Sequence, residues 1–262
     1  YHSLWVWPIL LIAIFFIVNF IITNRQATHP IVHFHTLFSK KPFVGATMAI
    51  SSHLTLLTGI AGINVYIVRI LKLPFDISLH FYFFFFVGVI ITGILKMFFY
   101  SSVGAGFLGT LGSSALLYVS IHWIILGNTI NIPLLYIQGL LLGFGASMTL
   151  VSGSMATLLD GDLKEAAQRS QTMHTIRNFS AAMLIPIIAY TIKNHIQKGT
   201  QSIYAENITD KMIYLKKLQD VAIDADHQIF LLMIIFNMVM FVSSIIQMIL
   251  GKGRRITPPR ES

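Results

Sequence analysis

Long, uninterrupted apolar blocks constrain this chain more than any other feature. Seven stretches (residues 4–22, 43–67, 79–95, 104–126, 132–159, 173–192 and 230–250) are rich in Leu, Ile, Phe, Val, Met and Ala, and the one charged side chain among them is Arg177. About 20 such residues, rising about 1.5 Å each, cross about 30 Å of hydrocarbon. Lipid offers no partners to a backbone N–H or C=O, so a spanning segment is a helix or part of a closed barrel. Barrel strands alternate with period two over about ten residues. The blocks here are longer and continuous, so the expectation is an all-α, polytopic membrane protein with seven spans. Charged residues make up only 11% of the chain, against about 25% in a soluble domain.

The formal net charge is +8. No run of Arg and Lys is interleaved with aromatics, so no nucleic-acid partner is expected. The basic residues flank spans, where they orient the chain and meet anionic lipid. The tail at 251–262, with Lys252, Arg254 and Arg255, is expected on the cytoplasmic side, which puts residue 1 outside. A bacterial inner membrane is the expected location. There are no cysteines, which excludes disulfides and Cys–zinc sites. The opening block lacks the basic region and cleavage site of a signal peptide, so the sequence reads as a fragment of something longer. Residues 24–42 read as an interfacial cytoplasmic linker and 199–227 as an outer loop. Two amphipathic stretches, 29–41 and 210–221, suit helices in the headgroup layer.

The stretch from Pro30 through His33, His35, Leu37, Phe38, Lys40 and Lys41 to Phe43 resembles the linker before the C-terminal half of fourteen-span major facilitator drug transporters. The Gln/Ser-rich segment from Ala166 to Ser180, with Arg177 before a small-residue run, is similar to that family's entry into its penultimate span. Where the family often carries a Gly-Asp-Arg-Gly type loop, this chain has Lys96 to Gly104 without an acid. The resemblance implies that 1–23 is a linker transmembrane helix and 43–250 a six-helix half-transporter built as 3 + 3 spans. It also implies a second, N-terminal bundle, a small-molecule substrate, amphipathic or cationic, and proton-coupled export by alternating access. In that arrangement 43–67 and 132–159 line the cavity.

Within 43–67, Ser51, Thr55 and Thr58 form one polar stripe, and His53 and Asn64 lie on another face. Gln138 and Ser152 are the matching polar groups of 132–159. These residues either bond helix to helix or line a cavity and bind substrate. The recurring Gly139, Gly143 and Ser147 point to close helix packing. Arg177, with Asn178 beside it, is a gating candidate that could pair with Asp160 or Asp162 or hold an anion. No Asp or Glu falls mid-span, so a coupling role would fall to a histidine such as His53 or His122, unless the carboxylate lies in preceding sequence. No metal or cofactor is expected, since His29, His33 and His35 read as interfacial. No Gly-rich phosphate loop, nucleophile elbow or carboxylate pair points to an enzyme. Two other classes stay open: a membrane enzyme or haem protein using His53, His122 and His174, and a seven-span receptor-like protein.

Overall fold

The computed structural model describes residues 34–159, 163–205 and 210–251, with scattered positions between 12 and 27. Most of the expected linker span 4–22, the basic tail from 252 and much of the interfacial segment 29–41 lie outside the described residues. The described positions from 12 to 26 are helical, and Ile12, Phe15, Phe16 and Phe20 are exposed. After a single helical turn, Phe34–Leu37, five long helices follow. They are α1 (Lys40–Asn64, continued by a π-helical Val65–Ile70), α2 (Phe75–Trp123), α3 (Ile132–Leu159), α4 (Ala166–Ala205) and α5 (Lys211–Ile249). All five are long and apolar enough to cross a membrane. Prolines mark several starts: Pro42 and Pro133 sit in first turns and Pro74 caps α2, where a missing N–H costs nothing.

Five helices form six antiparallel segments because α2 is folded in two. A straight helix of its 49 residues would be about 74 Å long, more than twice the hydrocarbon thickness. At Gly104 the backbone takes φ 82° and ψ 170°, a conformation essentially restricted to glycine. The limbs on either side, α2a (75–103) and α2b (105–123), fold back on each other. The rings of Phe81 and Trp123, near the two far ends, are 6.4 Å apart. The separate spans expected at 79–95 and 104–126 are these two limbs.

The segments alternate in direction. Gly45 of α1 meets Gly153 of α3 while Ser52 reaches Thr149 at 2.6 Å, so α1 and α3 are antiparallel. Met48 touches Ser244 and Gly62 faces Phe230, so α5 also runs against α1. Limb α2a runs with α3: Phe81 lies on Gly139, and the Lys96 ammonium donates to the Ser147 carbonyl at 2.6 Å. Limb α2b runs against α3 and α5, through Gly112 on Gly145 and Gly106 on Met248. Helix α4 runs with α1, joined by Met173 with Ala46 and Ala49, then by Leu184 and Ile188 with Leu54. One end of the bundle therefore holds Lys40, Gly104 and Leu159, and the other holds Gly127.

Glycine makes these contacts possible. Gly88 and Gly143 lie directly on the backbones of α3 and α2a respectively, and a Cβ at either would collide with a carbonyl. Such close approach is how helices associate where lipid competes with apolar side chains. The core between them is formed by Met48, Ile63, Tyr66, Trp123, Leu135, Leu142, Phe230 and Met233.

One expectation is corrected. Most of the stretch read as an outer loop is helix: α4 continues to Ala205, α5 begins at Lys211, and only 206–209 lie outside the described residues. Asp210 caps α5, its carboxylate accepting from the Met212 N–H at 2.8 Å, the usual way to satisfy a free first-turn donor. The amphipathic 210–221 stretch is thus continuous with the last span. Gly199 packs on Val221, so α4 and α5 extend together beyond the apolar blocks 173–192 and 230–250.

Candidate functional site

The structure divides the sequence candidates among three places. Ser51, Thr55, Thr58 and Ser152 are buried inside the bundle. Thr58 donates back to the Leu54 and Thr55 carbonyls of its own helix at 2.8 and 2.9 Å. Ser52, one position from the stripe, makes the interhelix bond to Thr149. The hydroxyls of Thr55 and Ser152 are buried without a hydrogen-bond partner among the described residues. The stripe is a polar seam closed within the bundle and not part of its outer surface.

The second place is a knot at the Gly127 end. Gln138, 1% exposed, accepts from the Trp123 indole N–H at 2.8 Å and pairs with His122 Nδ1 at 2.9 Å. A surface pocket beside it is lined by His122, Gln138, Thr129 and Asn131. Asn64, also towards this end, accepts from the Tyr82 hydroxyl at 2.9 Å.

The third place is the flank where α1 meets α4. His53 on α1 and His174 and Arg177 on α4 are half-buried, and Arg177 lies within electrostatic reach of both histidines. The Arg177 Nε is buried and has no hydrogen-bond partner among the described residues. Asn178 is exposed beside it. The expected pairing of Arg177 with Asp160 or Asp162 lies outside the described residues. His122 is held apart from His53 and His174, in the Gln138 knot. Among the described residues no three His, Cys, Asp or Glu side chains gather to hold a metal ion.

Asp226 escaped the sequence reading. The sequence places it in the 199–227 stretch read as a loop, yet it sits on α5, 1% exposed, with both carboxylate oxygens buried and without a hydrogen-bond partner among the described residues. Its electrostatic neighbour is Tyr66, whose hydroxyl donates to the Gly127 carbonyl. Tyr66 belongs to the π-helical end of α1, where Leu71 N–H bonds to the Tyr66 carbonyl at 2.9 Å. Single π turns inside helices often mark functional positions. The neighbouring His227 ring is tied to the Leu126 carbonyl at 2.8 Å. A signal was present in the sequence: Ala222, Ile223, Asp226, Ile229, Phe230 and Met233 recur at intervals of three and four, which puts Asp226 on the apolar face of one helix.

These elements define an α-helical, membrane-embedded protein of several passes. No protein-family model and no curated protein matches the chain.

Proposed function

We propose that this chain is a half-bundle of a secondary active transporter that exports small amphipathic compounds by alternating access, driven by protons. The observation that carries the reading is Asp226. A carboxylate inside a spanning helix, away from water and from any hydrogen-bond donor, is expensive in a bilayer. Such groups persist where they serve ion or proton pathways.

The pairing of the helices supports the same reading. Exchange α1 with α3, α2a with α4 and α2b with α5, and two of the contacts find counterparts. The Leu54–Leu184 contact of α1 with α4 corresponds to the Phe85–Gly143 contact of α2a with α3. The Gly62–Phe230 contact of α1 with α5 corresponds to the Gly145–Leu116 contact of α3 with α2b. Each triplet also runs opposite to its counterpart, the inverted-repeat pattern of this transporter class. In the proposed cycle this bundle rocks against a second one, and Asp226 takes up and releases the proton.

The test uses the full-length protein, with both bundles, in proteoliposomes, following dye efflux driven by an imposed proton gradient. Asp226→Asn should abolish gradient-driven efflux while leaving dye exchange at equal pH, because the neutral amide mimics the protonated acid. Gradient-driven efflux at the wild-type rate in the variant would overturn the assignment.

A further inference from the structure

The basic flank between α1 and α4 points to the chemistry of the cargo, and this step rests on the transporter reading above. Two apolar contacts frame the site. Ala46 and Ala49 pack on Met173 on one side, and Leu54 packs on Leu184 and Ile188 on the other. His53, His174 and Arg177 fall between those contacts, His53 midway along its apolar block 43–67 and His174 and Arg177 in the first turns of the block 173–192. A guanidinium there is costly unless it faces water, protein or an opposite charge. Its Nε is already withdrawn from solvent and has no hydrogen-bond partner among the described residues, and the guanidinium is in neither of the ion pairs found there. Those join His80 to Asp76 at 3.6 Å and Arg169 to Glu165 at 3.7 Å. The other described acids are engaged or placed elsewhere: Asp210 at its cap, Asp220 with Asn128 at 3.2 Å, Asp224 exposed on α5, and Asp226 by Tyr66.

We propose that His53, His174 and Arg177 form a binding site for the anionic group of an amphipathic cargo, a carboxylate or a phosphate ester. Guanidinium offers a planar fork of N–H donors that matches two oxygens of such a group at once. The two imidazoles add donors from α1 and from one turn earlier on α4. Apolar surface adjoins the charge: Ile50 and Leu57 lie one turn either side of His53, and Ala181 lies one turn beyond Arg177, all only partly buried. The cargo's apolar body rests there. A cationic headgroup would meet Arg177 with like charge, so between the amphipathic and cationic classes suggested by resemblance, the site selects amphipathic anions.

The test compares two probes of matched shape, 1-naphthoate and 1-naphthylmethylammonium, by equilibrium dialysis against the full chain in lipid nanodiscs. Naphthoate should bind and the ammonium should not. Arg177→Gln should weaken naphthoate by about tenfold or more, the range of a lost charge-assisted bond, and Arg177→Lys should restore part of it. His53→Gln, which leaves the guanidinium in place, should weaken it by a smaller factor of about three. Equal binding of both probes, or naphthoate binding unchanged in Arg177→Gln and His53→Gln, would overturn the site. Tighter naphthoate binding in an Asp160→Asn, Asp162→Asn double variant would also overturn it, by showing that those acids occupy Arg177 as a gate. Dialysis needs no gradient, so its outcome is independent of the Asp226 experiment.

Discussion

Asp226 and Arg177 are both ionisable groups set within long apolar helices, each with a buried atom that has no hydrogen-bond partner among the described residues, yet their surroundings differ. Asp226 is sealed. It lies under Tyr66, and one turn further along α5 the Phe230 ring stands 5.3 Å from Trp123, which Gln138 holds by its indole N–H. Arg177 is half-open, flanked by two histidines on a face with partly exposed apolar neighbours. Desolvation penalises both charges, but access separates what each can exchange. A sealed carboxylate can trade a proton without admitting anything larger. A half-open guanidinium can meet a molecule. Both a coupling group and a binding group are needed for the proposed transport, and here they lie on different helices and towards different ends of the bundle.

The most direct way to break that contrast uses a natural advantage: the chain has no cysteine. His53→Cys and Asp226→Cys each introduce a single thiol on a clean background. A membrane-impermeant thiol reagent should modify position 53 at least about ten times faster than position 226, since thiol reactivity follows exposure. Mass spectrometry of the intact protein over time reads both rates. Equal rates would remove the distinction between a sealed and an open site.

A second variant asks whether the contrast is local. Gly104→Ala forces a side chain into the backbone conformation at the fold of α2, at a cost of about 1–3 kcal/mol. The thermal midpoint in detergent should fall, while the ratio of labelling rates at 53 and 226 should hold. A changed ratio would mean that the α2 hairpin, rather than the immediate neighbours, sets access to both positions.

The sequence displayed the passes well and the site unevenly. Apolar block lengths predict the long helices between 43 and 250 and the two limbs of α2, because hydrocarbon thickness acts on each block separately. The close packing at Gly143 was also legible, since small residues at helical spacing are informative without knowing the partner. What could not be read was which way a face turns. Ser51, Thr55 and Thr58 do share a stripe, but a helical wheel does not say that α3 and α5 cover it. Asp226 was hidden by its setting. Lys211, Lys216, Lys217, Asp220 and Asp224 give the preceding segment the charge of a solvated loop, although its apolar period continues unbroken into the span. The surroundings of the histidines are hidden for a similar reason, because neither Gln138 beside His122 nor Arg177 beside His53 is near in sequence.

The smallest expected effect bears on what keeps Asp226 closed. Removing the Gln138 side chain deletes the hydrogen bond to Trp123 and the bond to His122. Interhelix hydrogen bonds in membranes average about 0.6 kcal/mol, so Gln138→Ala should lower stability by only about 1 kcal/mol. Its consequence should be larger for dynamics than for folding. Trp123 would lose the acceptor that fixes its ring against Phe230, and the Gly127 end would open more often. In a protein carrying Asp226→Cys, adding Gln138→Ala should therefore raise the labelling rate at 226 by about fivefold, the factor that about 1 kcal/mol gives to an opening equilibrium. The rate at 53, in a His53→Cys protein with the same change, should not move. An unchanged rate at 226 would show that Tyr66 alone seals the carboxylate, and that the knot at Gln138 only joins α2 to α3.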